Sequence, residues 1–241
     1  MDIKALIAII AFIVISTIIM RILGKLFKWF FYISTLFSIL IAVLGFFVYQ
    51  DIVDLTQKLP IEEKIILLDN EGTITQGFSL SELSLNDLPE AFDKSEINEI
   101  NLLYQENKLK EIQDNAYKII IVKNEYFENV EELDVGSFKV SNIDAMTILS
   151  SDAPLDEAVN ILSNGNQLIQ EQLKSTISNQ IGSGSKIKSF LFMALLMKKL
   201  QSGGQSEIIS AYKEDKVLIY PETIAFKLIN YVPETLVEKV I

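Results

Sequence analysis

The residues able to do chemistry in this chain are few in kind. It has 20 Ser and 20 Lys but no Cys and no His. That excludes disulfides, thiol catalysis, Cys/His metal sites and any Ser–His or Cys–His nucleophile pair. Catalysis would have to use a serine with a lysine, a tyrosine, or carboxylates. Ser-x-x-Lys occurs at Ser185/Lys188, where an apolar helix begins, and again at Ser183/Lys186 and Ser210/Lys213. Three occurrences are close to what chance gives at this Ser and Lys content.

The placement of Ser185 resembles that of the serine of penicillin-binding proteins and β-lactamases, but no Lys-Thr-Gly follows it. There is no Gly-x-x-x-x-Gly-Lys and no Gly-x-Gly-x-x-Gly loop to cradle phosphate. The single Arg is Arg21, so residues 51–241 hold no guanidinium fork for carboxylate or phosphate. Asp69 and Glu71 alternate ahead of Gly72, as in part of a calcium loop. Position twelve from Asp69 is Leu80, not the Glu such a loop requires, so turn chemistry is the expectation and Asp69 and Glu71 are weak metal candidates. No cofactor is expected. Scattered carboxylates identify no glycosidase pair.

These residues are held by two unlike parts. Hydrophobic content is 49% and mean hydropathy +0.30, and the apolar excess sits at the N-terminus. Ala5 to Met20 is uncharged, and snorkelling by Lys4 and Arg21 extends that segment to about 3–23. Trp29 to Tyr49 is uncharged and long enough to cross a bilayer, which takes ~20 apolar residues. Arg21, Lys25 and Lys28 fall between the two, and Trp29, Tyr32 and Tyr49 mark interfaces. The pattern predicts a two-helix transmembrane hairpin over 1–50, with spans about 3–23 and 29–49. No small-x-small site follows the first segment, which argues against a cleaved signal peptide. The basic loop belongs on the cytoplasmic side, so both termini are expected outside. Ser34, Ser38, Ala42 and Gly45 form one small-residue face, suited to packing one helix on the other.

Residues 51–64 read as a juxtamembrane helix and linker, broken at Pro60. Residues 65–241 read as an acidic α+β domain with short β-hairpins and a central apolar helix. Residues 51–241 carry 17 Lys and 31 acidic side chains, a net of −14. Ile65–Leu68, a turn at 69–72 and Thr73–Phe78 predict a hairpin. Tyr117–Lys123 predicts a buried strand. Asp93/Glu96 and Ser141/Asp144 read as helix caps, and Asp152 as the cap of a helix opened by Pro154. Gly/Ser clusters at 182–185 and 202–204 bracket an apolar helix over 187–200. With Phe190 to Met197 apolar all round, it is expected in the core rather than on lipid. Glu207–Tyr212 and Val217–Tyr220 read as a second hairpin. Pro221-Glu222-Thr223 and Pro233-Glu234-Thr235 each open a short helix.

Net charge −11 disfavours nucleic acid. The expected partners are the lipid bilayer and another membrane protein or a second copy. The function expected is a membrane-anchored, non-catalytic binding or scaffold protein with an extracytoplasmic acidic domain. The alternative is a membrane-bound hydrolase using Ser185 and Lys188.

Overall fold

The computed structural model of the chain describes residues 3–81, 88–135, 138–182, 184–229 and 231. It divides into two compact units, Met1–Gln50 and Asp51–Ile241.

The first unit shows one apolar helix, and the second helix of the expected hairpin is not seen in it. Helix α1, Ile3–Lys58, runs 56 residues without a break. The residues expected to turn, Arg21 to Lys28, are helical. The physical reason is local. Arg and Lys are good helix formers, and one Gly costs a helix only ~1 kcal/mol. Within α1, Leu23–Leu55 is long and apolar enough to cross a membrane, with hydropathy 2.3 and no burial across its most apolar stretch. Phe30 (72% exposed), Leu36 (69%) and Phe37 (61%) are among its uncovered side chains.

The second unit is an α+β domain. Its main sheet has five strands among the described residues. Strand β1 (Lys64–Asn70) pairs antiparallel with β2 (Thr73–Leu80) and parallel with β4 (Lys118–Lys123). Strand β3 (Glu90–Ala91) extends one edge and β7 (Val217–Tyr220) the other. The β1–β2 turn forms where expected. Glu71 (φ 51°) and Gly72 (φ 85°) both take positive φ, the signature of a tight hairpin turn.

A run such as Ile119-Ile120-Ile121-Val122 is apolar on both faces because both faces are covered. Ile65, Leu67, Ile119 and Ile121 meet Ile97 and Ile112 from α2 (Lys94–Gln105) and α3 (Leu109–Gln113). Ile66, Leu68, Phe78 and Val122 face the larger core. That core is built from α4 (Asn142–Ser150), α5 (Pro154–Ser163), α6 (Gln167–Gln180) and α7 (Gly184–Lys213). A small sheet, β5 (Glu132–Val135) with β6 (Phe138–Ser141), joins it, and α8 (Ile224–Ile229) follows β7.

The apolar helix is the centre of this core, as its composition predicts. Ile187, Leu191, Phe192 and Leu195 are buried, and Phe192 stacks on Phe78 with centroids 4.3 Å apart. Asp93 and Glu96 form a complete capping box on α2, and Ser141 Oγ accepts from Asp144 N at 3.1 Å at the start of α4.

Three local expectations fail. Helix α7 does not stop at Ser202-Gly203-Gly204, and Glu207–Tyr212 is its last stretch rather than a strand. Lys199, buried, pairs with Glu207 at 2.6 Å and brackets the glycines, while Ala211 and Tyr212 reach the buried side. Asp152 does not cap α5. The N-cap is Ala153, and Asp152 binds Lys94 instead. The helix expected at Pro233-Glu234-Thr235 lies outside the described residues.

Residues 51–63 belong to the domain rather than to a free linker. Asp51 Oδ2 accepts from Ala225 N at 3.0 Å, and Tyr117 donates to Asp54 at 2.8 Å. Lys64, 1% exposed, donates to Leu59 O at 2.7 Å and to Glu62 O, fastening the turn after Pro60.

Candidate functional site

Ser185 and Lys188 share a cleft of about 430 Å³. It is lined by Gln76 on β2, Phe92 and Asp93 before α2, Lys94 and Ile97 on α2, and Asp152 and Pro154 around α5. Both residues lie in the first turn and a half of α7, three apart, and so on one helix face. Ser185 is exposed and Lys188 half-buried. Lys188 Nζ donates to Gln76 Oε1 at 2.7 Å. Gln76 is buried, and its Nε2 donates to Gly77 O and Phe92 O, each at 3.2 Å. Burial holds the Lys188 amine below its ordinary pKa, partly opposed by the charge of Asp152. Lys94 binds Asp152 and lowers that carboxyl in turn.

A larger cleft, about 1150 Å³, lies at the β1–β2 turn and contains Asp69 and Glu71. Glu125, Glu128 and Glu157 also line it, against one cation, Lys123. Asp69 is occupied structurally. Its Oδ1 accepts from Gly72 N at 2.8 Å and its Oδ2 from the Tyr104 hydroxyl at 3.1 Å. Among the described residues no group of three or more carboxylates is placed to hold a metal ion. Oδ1 of Asn124 and of Asn142, both residues of this cleft, is buried and accepts no hydrogen bond.

The residues read as membrane-facing stand on α1. Arg21, Lys25 and Lys28 are exposed, as are Trp29 (71%), Tyr32 (71%) and Tyr49 (64%). Ser34, Ser38, Ala42 and Gly45 are exposed too, and Ser38 Oγ satisfies itself on Ser34 O at 2.9 Å. Among the described residues no second helix packs on that face.

Sequence reasoning missed Gln76, whose partner Lys188 is 112 positions away. It also missed the contacts of Asp51, Asp54, Tyr117 and Lys118. Lys118 Nζ, 5.3 Å from the Tyr117 ring centre, donates to Pro221 O at 2.6 Å. A buried Lys at a strand start was the available signal, but a Lys flanking an apolar strand ordinarily faces water. Compared with known proteins, the chain matches no family model, no curated protein and no solved structure.

Proposed function

We propose that this protein is a membrane-anchored binding or scaffold module that presents an acidic α+β domain outside the cytoplasm as a subunit of a membrane complex. The observation that carries the reading is the uncovered apolar surface of α1. Side chains such as Phe30, Phe31, Leu36 and Phe37 are too large and too contiguous to face water, and lipid is the cover their length matches.

The finer topology rests on length and charge. A 56-residue helix extends ~84 Å, against a hydrocarbon core of ~30 Å. Its two uncharged stretches, Ala5–Met20 and Trp29–Tyr49, each suit one crossing, and Arg21, Lys25 and Lys28 lie between them. A straight helix crossing once through Trp29–Tyr49 would leave the apolar Ala5–Met20 stretch in water, so in a bilayer the chain turns within the basic segment Arg21–Lys28. The basic turn stays cytoplasmic and both ends lie outside. The small-residue face of Ser34, Ser38, Ala42 and Gly45 then receives the first helix. The net −14 of residues 51–241 keeps the domain soluble and away from anionic headgroups.

Crosslinking in native membranes tests the subunit role. A defined heteromeric product, recovered with the full chain and lost when membranes are dissolved before crosslinking, supports it. Recovery of uncrosslinked chain alone contradicts it.

A further inference from the structure

The anchored-module reading leaves the Ser185–Lys188 cleft unused, yet that cleft has the parts of an acyl-transfer site. Gln76 is held by its two amide donations, so its Oε1 is the atom that faces Lys188. An amide oxygen orients an amine without the full negative charge that would keep it an ammonium. The nearby carboxylate, Asp152, is paired with Lys94. Helix α7 contributes a second effect. The positive end of a 30-residue helix disfavours a cation in its first turns and favours an oxyanion there. Its first N–H groups have no acceptor within the helix and point toward the same end. Phe92, Ile97 and Pro154 give the cleft an apolar wall.

We propose that Ser185 is a nucleophile and Lys188 its general base, in a site that takes a small acyl ester. The Ser185 Oγ–H proton passes to neutral Lys188 Nζ as Oγ bonds to the ester carbonyl carbon. The C–O bond to the alcohol then breaks, and the departing alkoxide takes that proton from Lys188. Water, giving a proton to Lys188, attacks the acyl-serine. The Oγ–acyl bond breaks and Oγ recovers the proton, leaving a carboxylic acid and the free enzyme. The N–H groups opening α7 stabilise the tetrahedral oxyanion at each stage.

The test is reaction of the detergent-solubilised full chain with a fluorophosphonate probe, read by intact and peptide mass spectrometry, alongside hydrolysis of p-nitrophenyl acetate. The charged groups facing Lys188 are Asp93 at the cap of α2, Lys94 on α2 and Asp152 before α5. The expected result is one adduct, on Ser185, forming faster as pH rises toward the ordinary lysine range. Lys188→Arg keeps a donor for Gln76 but removes the base, and should slow labelling by at least ~100-fold in a chain that still melts cooperatively. Ser185→Ala should abolish both labelling and turnover, while Lys186→Met changes neither. A folded wild-type chain with no adduct on Ser185, or an adduct whose rate Lys188→Arg leaves unchanged, overturns the proposal.

Discussion

Tyr117, at the entrance to β4, donates its hydroxyl to Asp54 on the last turn of α1 at 2.8 Å. Asp54 also pairs with Lys58 at 2.7 Å, and Lys58 lies over the Tyr117 ring at 5.6 Å. Asp54 and Lys58, near the end of α1, are thus held against the start of β4. Tyr117→Phe removes a hydrogen bond to a half-exposed carboxylate. It should cost ~1 kcal/mol and lower the thermal midpoint by a few degrees, measured by circular dichroism on the solubilised chain.

The central helix gives a sharper contrast. Leu195 is fully buried among the side chains of the larger core, whereas Leu168 on α6 is 91% exposed. Leu195→Asp leaves a buried, unpaired charge, costing several kcal/mol against the ~5–15 kcal/mol that holds a domain together. The domain should not fold. Leu168→Asp should shift stability by no more than ~0.5 kcal/mol. A folded Leu195→Asp chain that had lost only liposome binding would make this helix a lipid-docking element instead.

Gly77 is required by a close approach. A Cβ there would meet Phe92 Cδ2 at 2.5 Å and Leu67 Cδ2 at 3.0 Å. Gly77→Ala should therefore destabilise by ~1–3 kcal/mol through overpacking, read as a lower urea midpoint with an unchanged slope. Because Gln76 and Phe92 frame the smaller cleft, the same substitution should also disturb the Lys188 contact.

Alkaline pH should expose the Tyr104–Asp69 pair. Burial first, and then the Asp69 charge, push the Tyr104 hydroxyl up to about 12. In the unfolded chain it titrates near ~10, so the unfolded state releases its proton first. Stability from this group is intact below ~10 and falls as pH rises toward about 12. Urea midpoints measured across that window should decline, and Tyr104→Phe should make the decline shallower. Tyr126, pushed up by burial to about 12, keeps part of the slope in the variant.

Features written in neighbouring residues were legible in the sequence. Glu71-Gly72 encodes its turn, Asp93 with Glu96 its cap, and Ile119–Val122 a strand covered on both faces. Phe190–Met197, with no polar side, reads as a core helix rather than a lipid-docking one, and Leu191, Phe192 and Leu195 are buried. What was not legible depends on distant partners. Glu207-Ile208-Ile209 reads as strand by composition, but the Lys199–Glu207 pair and the burial of Ala211 keep α7 helical to Lys213. The same helix overrides Gly203-Gly204, a plausible stop by itself. Asp152 has the chemistry of a cap, yet Lys94, 58 positions away, takes it. In the candidate site, Ser185 and Lys188 were visible as a pair. Gln76, which orients the amine, was not, because nothing near position 76 announces its contact with 188.

The chain has no native cysteine, so single-cysteine labelling reads directly whether the anchor holds the acidic domain outside. A membrane-impermeant maleimide applied to intact cells should modify Leu168→Cys on the exposed face of α6 and Asp2→Cys at the N-terminus. Lys25→Cys, in the basic turn, should react only after permeabilisation. Protection of Leu168→Cys in intact cells, with Lys25→Cys freely labelled, would reverse the orientation. Protection of both Asp2→Cys and Lys25→Cys, with Leu168→Cys labelled, would replace two crossings by one, through Leu23–Leu55.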